Sequence, residues 1–357
     1  MVRREGRVKA NRPKAMGKGG RGISAVKGGK MRHLSRRDLL KAGVATAVLA
    51  RTARAAASPV YLIRTLDRQE GIRRGLAALG VPAAGGKRVV IKPNFNSADE
   101  FPASTHLDTV RTLVRHFQTA GAAEIGLAER SGMGNTRRVM EQKGVFALAG
   151  QMNYRAVVLD ETPMEGWAAE RLPGGHWSRG VLFPRLFQDA DLLIQTCCLK
   201  THRYGGHFTL SLKNTVGMVA KYSPRDQYNY MGELHGTSYQ RQMIAEINQL
   251  YRPAMIVMDG LKAFTDGGPE SGPLVTPQVM VFGTDRVAVD AVGVAILRMH
   301  GGNATISRGR IFDQEQIARA VKLGLGASGP EQIDLVTDDP ESRKVGDRIR
   351  QLLSQQG

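Results

Sequence analysis

The sequence predicts an α/β protein, a mostly parallel sheet flanked by helices. Three observations predict it. Short aliphatic runs alternate with longer segments of helical period, as in crossover units around a sheet. Glycines stand where several helical patterns stop, at Gly80, Gly121, Gly144 and Gly301. A chain of 357 residues with 42% hydrophobic side chains can bury a sizeable core.

The first element is a basic extension, residues 1–57, set before an α/β domain over 58–357. Residues 1–57 hold 16 Lys and Arg against two acids, Glu5 and Asp38, whereas 58–357 carries 35 bases and 30 acids. The formal charge of +19 therefore sits mainly outside the domain, which argues against nucleic acid as its partner. Residues 1–30, rich in Gly, Lys and Arg, lack the apolar side chains of a core and are expected to be disordered. Ser35-Arg36-Arg37-Asp38-Leu39-Leu40-Lys41, a short apolar stretch over 42–50 and Ala55-Ala56-Ala57 resemble a twin-arginine export signal with its cleavage site. That resemblance implies the twin-arginine machinery as a partner and a periplasmic or otherwise exported destination. Met31 is the more ordinary start for such a signal. The apolar stretch is far shorter than the roughly 20 residues a membrane span needs.

Strands are expected at 60–64, 88–92, 124–127, 156–159, 191–196, 254–259, 279–282 and 333–336, each a β-branched or aliphatic run. Helical spacing marks 69–79, 107–120, 136–144, 237–250, 286–300, 313–323 and 341–353. The segment 285–300 carries Ala288, Ala291, Gly293 and Ala295, small enough to press on a sheet, and reads as packing. Two stretches, 222–236 and 265–277, read as long loops of the kind that form lids or binding segments. The only cysteines, Cys197 and Cys198, are adjacent at a strand end and supply no cluster-binding set, so no iron–sulfur centre held by this chain is expected.

In open parallel sheets ligands sit beyond the carboxyl ends of the strands. The expected ends are polar: Lys92-Pro93-Asn94 with Asn96, Glu129-Arg130-Ser131, Lys200-Thr201-His202, and Asp259-Gly260. Taken singly, each also fits a solvated strand end, a turn former or a helix cap. The run 199–217 is denser, with Lys200, His202, His207, Lys213 and Asn214 around Gly205-Gly206. Lys200 and Lys213 suit an anion, and His202 suits acid–base work. Lys92, Asn94, Asn214, Gly205 and Gly206 suit cofactor binding, the glycines by letting backbone approach a ligand. His202 and His207, five apart across the glycine pair, could share a divalent metal with a carboxylate such as Asp259. A glycine-bearing turn with solvent-exposed histidines fits the same run.

Lys200-Thr201-His202, Thr209-Leu210-Ser211-Leu212-Lys213-Asn214 and Gly217, preceded by Asp191-Leu192-Leu193-Ile194, resemble the hallmark of domain-of-unknown-function family 362. Val90 to Asn94, Met258-Asp259-Gly260 with Gly268-Pro269 and Gly272-Pro273, and Asp285 to Ala291 agree with it, so the resemblance runs from about residue 60 to 336. Some members carry ferredoxin-type cluster domains. No Cys-rich segment occurs here, so a redox centre would belong to a separate partner protein. A more distant resemblance links His202 and Lys213, eleven apart, to the nickel-dependent lactate racemase superfamily, where a lysine holds a pincer nickel nucleotide. The Gly-Gly-Arg-Lys context of that lysine is missing here.

The function expected is that of an exported enzyme, metal- or cofactor-dependent, acting on a small anionic substrate at a Lys/His/Asp site. The alternative is a periplasmic protein that binds such a ligand, or serves maturation, without turning it over.

Overall fold

The computed structural model describes residues 57–357; the basic extension, the twin-arginine-like segment and the disorder expected of residues 1–30 lie outside the described residues. Twelve strands are described: β1 (Ser58–Arg64), β2 (Arg88–Lys92), β3 (Glu124–Glu129), β4 (Arg155–Val158), β5 (Trp167–Glu170), β6 (Val181–Pro184), β7 (Leu192–His202), β8 (His207–Thr209), β9 (Met255–Phe264), β10 (Leu274–Val275), β11 (Val279–Gly283) and β12 (Ile333–Val336). The main sheet runs β12-β1-β11-β9-β7-β2-β3-β4, with β8 paired to β7 and β10 to β9. Along that path β11 runs against both neighbours and every other pairing is parallel. The expected α/β class, a mostly parallel sheet flanked by helices, is therefore observed, with β11 making the sheet mixed.

Each face of the sheet carries helices for the reason the spacing implies. The helix Leu107–Thr119 begins with the His106 ring accepting from the Asp108 amide and buries Val110, Leu113, Val114 and Phe117, a stripe at helical spacing. Truncating Phe117 to Ala would cost about 3–5 kcal/mol by the usual cavity penalty. On the other face the helix Arg286–Met299, capped by Asp285, presses against the sheet through its small residues. A Cβ at Gly293 would lie 2.8 Å from Leu210 and 3.1 Å from the Met258 sulfur. Gly80 adopts a left-handed φ of +65° and stops the helix Arg68–Leu79.

Two segments depart from expectation. The helix expected over 136–144 is observed as Thr136–Gln142, and after Gly144, at φ +74°, a further helix Val145–Met152 follows where none was expected. The loop expected over 222–236 contains the short helix Tyr230–His235. No helix among the described residues is long and apolar enough to cross a membrane.

Strand order fixes where a site can form. From β2 the chain steps to β3 and β4 on one side, then returns to β7 and β9 on the other. Such a reversal opens a crevice at the carboxyl ends of β2 and β7.

Candidate functional site

β7 is longer than its apolar run implies. It continues as a fully buried strand through Cys197, Cys198 and Lys200 to His202. The polar half survives burial because β8 pairs with it, Lys200 facing Thr209 and His202 facing His207 in register. Between Cys198 and Lys200 the register with β9 breaks, a local irregularity of the kind that re-aims side chains near sites. Lys200 and His202, two apart, then share a face.

Around that face the expected residues gather. Lys92 at the end of β2 donates to Glu129 at the end of β3 (2.6 Å), to the Pro93 carbonyl (2.6 Å) and to Asn214 Oδ1 (3.4 Å). Glu129 also accepts from the Phe95 and Arg130 amides at 2.6 and 2.8 Å. Burial pushes the Lys92 pKa down and the Glu129 pKa up, while each partner opposes its neighbour's shift. At 2.6 Å, with further bonds on both sides, we read the pair as ionised. Asn94 links two groups of residues, donating to Asn214 Oδ1 (3.3 Å) and accepting from Lys200 Nζ (3.2 Å).

Lys200 is fully buried and donates to the Ala103 carbonyl and to that of Pro269 (3.1 Å). Its oxygen partners are neutral, and burial pulls its pKa down to about 8. Lys213 is more exposed to the same physics. It makes no hydrogen bond to any described residue, and burial, then Lys200 and Arg130, lower its pKa to about 7. His202 is held well below the usual imidazole range by burial and then by Lys213, Lys200 and His235. Its Nδ1 is buried and without a partner among the described residues.

The turn that delivers Lys213 and Asn214 is built by residues elsewhere. Ser211–Asn214 is a single helical turn whose Ser211 and Leu212 amides donate to Asp290 at 2.8 and 3.0 Å, joined by the Ser211 hydroxyl at 2.7 Å. Gln195 and Asn248 donate to the Ser211 and Leu212 carbonyls at 2.8 and 3.1 Å. Asp290, pushed up to about 7 by burial, thus gives the helix Arg286–Met299 a positioning role beyond the packing its composition suggests.

Two connected spaces result. An inner recess of about 40 Å³ is lined by Lys92, Asn94, Glu129, Lys200, Lys213 and Asn214, among others. An outer cavity of about 520 Å³ shares Asn96, Arg130, His202 and Lys213 with it and adds Met133, Tyr204, Gly205, Met231, His235 and Gln240. Buried Arg130, Lys92, Lys200 and Lys213 face one carboxylate, Glu129, so the crevice carries an excess of positive charge. Gly206 is needed for this closeness: a Cβ there would lie 2.3 Å from Lys213 Cε and 3.4 Å from His202 Nδ1. Gly205, at φ +77°, lies against Gln240.

Two expected residues stand apart. His207 pairs with His202 in the hairpin, but the charges that act on its ring are Arg241 and Glu315. Asp259 lies within β9, because that strand runs on to Phe264, and it accepts from Arg68 Nε (2.5 Å) and the Thr109 hydroxyl (3.3 Å). Neither lines the crevice, and among the described residues no three His, Cys, Asp or Glu side chains stand close enough to hold a metal ion. Residue-by-residue reading missed Tyr204, Met231, His235 and Gln240 as wall residues. The available signals were the polar, aromatic stretch 222–236 for Met231 and His235 and the dense run 199–217 for Tyr204; Gln240 had none.

Residues 89–295 match the model of the family described as Domain of unknown function (DUF362). No curated protein matches the chain. Among solved structures, the lactate racemase apoprotein from Thermoanaerobacterium thermosaccharolyticum is similar at 17% identity and a TM-score of 0.43. That match covers 68% of this chain and 58% of that one.

Proposed function

The chain belongs to the DUF362 family, and from that premise we propose that its crevice binds a small carboxylate or phosphate ligand and exchanges a proton with it through Lys213 and His202. The observation that carries this reading is the pairing of an unbonded, buried Lys213 amine with the unpartnered His202 Nδ1 in a recess of positive excess. An amine whose pKa lies near 7 is present in both forms at neutral pH, which suits a group that takes and returns a proton. Arg130, and Lys200 while protonated below about pH 8, supply positive charge, and Asn94 with Asn214 orients the ligand. Met133, Met231 and Tyr204 give a wall for its less polar part.

With no three metal-ligating side chains close together among the described residues, a metal would have to arrive on an organic carrier with ligands of its own. His202 and Lys213 are the residues that would hold such a group, which would supply redox or Lewis-acid chemistry at that point. Export through the twin-arginine pathway is part of the proposal, and Arg36→Lys with Arg37→Lys should retain the chain in the cytoplasm.

Calorimetric titration of the purified protein with phosphate, acetate and a 2-hydroxy acid tests the binding step, and proton NMR of the same mixtures in heavy water tests turnover. We expect saturable anion binding that Lys213→Met weakens at least tenfold, and exchange at carbon that His202→Ala abolishes. Binding unaffected by Lys213→Met would refute the reading. Saturation with a ligand returned unchanged would leave a binding protein in place of an enzyme.

A further inference from the structure

The crevice just described is not the sole sizeable cavity among the described residues. A separate space of about 660 Å³ opens on the same rim, lined by Leu66, Arg68, Phe101, His106, Lys143 and Lys262 among others, and it shares no lining residue with the first. From these residues we infer that it is a second binding site, for an anion carried on a flat ring.

The chemistry of the wall points to that ligand. The Arg68 guanidinium lies 4.6 Å from the centroid of the Phe101 ring, and its Nε is fixed by buried Asp259 at 2.5 Å. Its two terminal nitrogens make no hydrogen bond to any described residue, so a planar donor edge, pre-oriented by the ion pair, is left free. Lys143 and Lys262 form no ion pair among the described residues; Lys143 donates to the Asp99 carbonyl at 3.2 Å. Against these cations the lining carries one carboxylate, Glu100. Burial lowers the pKa of Lys143 and of His106. Leu66, Leu107 and Leu261 complete an apolar floor beside Phe101. The volume falls within the range of small-molecule sites, roughly 300–1,000 Å³. Gln278, at the same wall, holds a left-handed φ of +58°, a conformation side chains rarely adopt and one that clusters at ligand sites.

The ring can belong to a nucleotide or to an aromatic acid, and the experiment separates the two. AMP and benzoate are titrated into the purified protein by calorimetry, with adenosine and inorganic phosphate as the ring-only and anion-only controls. We expect AMP or benzoate to bind at least tenfold more tightly than its matching control. Lys143→Gln, Lys262→Gln and Phe101→Leu should each weaken binding by about tenfold, the scale of one charge-assisted contact. Lys262 is exposed and Lys143 is half-buried with no ion pair among the described residues, so a neutral glutamine at either position should keep the melting temperature. Each titration is repeated in Lys213→Met, which weakens small-anion binding at the first crevice, and AMP or benzoate binding at the second cavity should persist in that background. Failure of both ring-bearing anions to bind at 5 mM would overturn the inference. So would binding that Lys213→Met abolishes while the Lys143 and Lys262 variants keep it.

Discussion

Replacing Lys213 with Met should make the protein more stable at and below neutral pH, and the gain should fade in alkali. Displacement of its pKa from 10.5 to about 7 corresponds, at 1.36 kcal/mol per decade, to roughly 5 kcal/mol held against the charged amine in the fold. Water entering the cavity reduces this, so about 2–3 kcal/mol is the expected difference. The sign follows from proton counting. Between pH 7 and 10.5 the unfolded chain holds a proton on this lysine that the folded chain has lost, so stability rises with pH across that window. Below pH 7 both states are protonated and the whole cost is present. Methionine has similar length and no proton, and it removes the term. Urea unfolding of both proteins at half-unit steps from pH 6 to 9.5 measures it; groups that do not act on Lys213 cancel in the difference, and its repulsion with Lys200 belongs to the cost removed. A difference that does not shrink as pH rises, or a Met variant less stable at pH 6, would show that the amine is not held neutral by burial.

Gly206→Ala puts a Cβ 2.3 Å from Lys213 Cε, at the far end of a flexible side chain. It should fold with less than about 1 kcal/mol of loss yet bind anions at least tenfold more weakly by calorimetry. Gly217→Ala meets the buried Glu129 carboxylate at 2.6 Å and Lys92 Nζ at 2.8 Å, which cannot both move. Chemical denaturation should show about 3 kcal/mol or more lost. Glu129→Gln leaves Lys92 buried without its counter-charge and should cost about 3–5 kcal/mol by the same assay. Asp290→Asn offers one acceptor oxygen to three donors, which should displace the turn that carries Lys213 and weaken anion binding at least tenfold by calorimetry. Its carboxyl is raised to about 7, so below that pH the fold takes up a proton the unfolded chain does not, and wild-type stability should rise between pH 7 and 3.8 while the Asn variant shows no such rise.

The sheet was legible where apolar side chains repeat, because burial on both faces leaves a continuous aliphatic run such as Leu192 to Ile194 or Val279 to Phe282. Pairing direction was not legible. Nothing in Val279 to Gly283 records that this strand runs against β1 and β9, since a parallel and an antiparallel neighbour bury the same side chains. The lengths of β7 and β9 were equally hidden. Lys200 and Asp259 look like strand ends to any reading based on hydrophobic period, yet both strands continue because tertiary partners meet their polar groups: the Ala103 and Pro269 carbonyls for one, Arg68 and Thr109 for the other.

That difference decides which site residues could be found in advance. Lys92 and Asn94 stand at or just beyond the end of β2 and Lys200 and His202 in the last residues of β7, as the strand-end rule expects, whereas Lys213 and Asn214 come from the dense run that follows; the structure brings all six to one recess. Asp259 was misplaced by the same rule, as its strand runs five residues further than the apolar run. His207 failed for a different reason. Counting residues across Gly205-Gly206 shows that two imidazoles can come close but not which way either points, and the tight hairpin gives His207 a φ of +57° and leaves it off the lining of the crevice. Asp290 was hidden because a buried carboxylate on a helix of small residues reads as an exception to packing. Its three donors, all from Ser211 and Leu212, make it the anchor of the turn that aims Lys213.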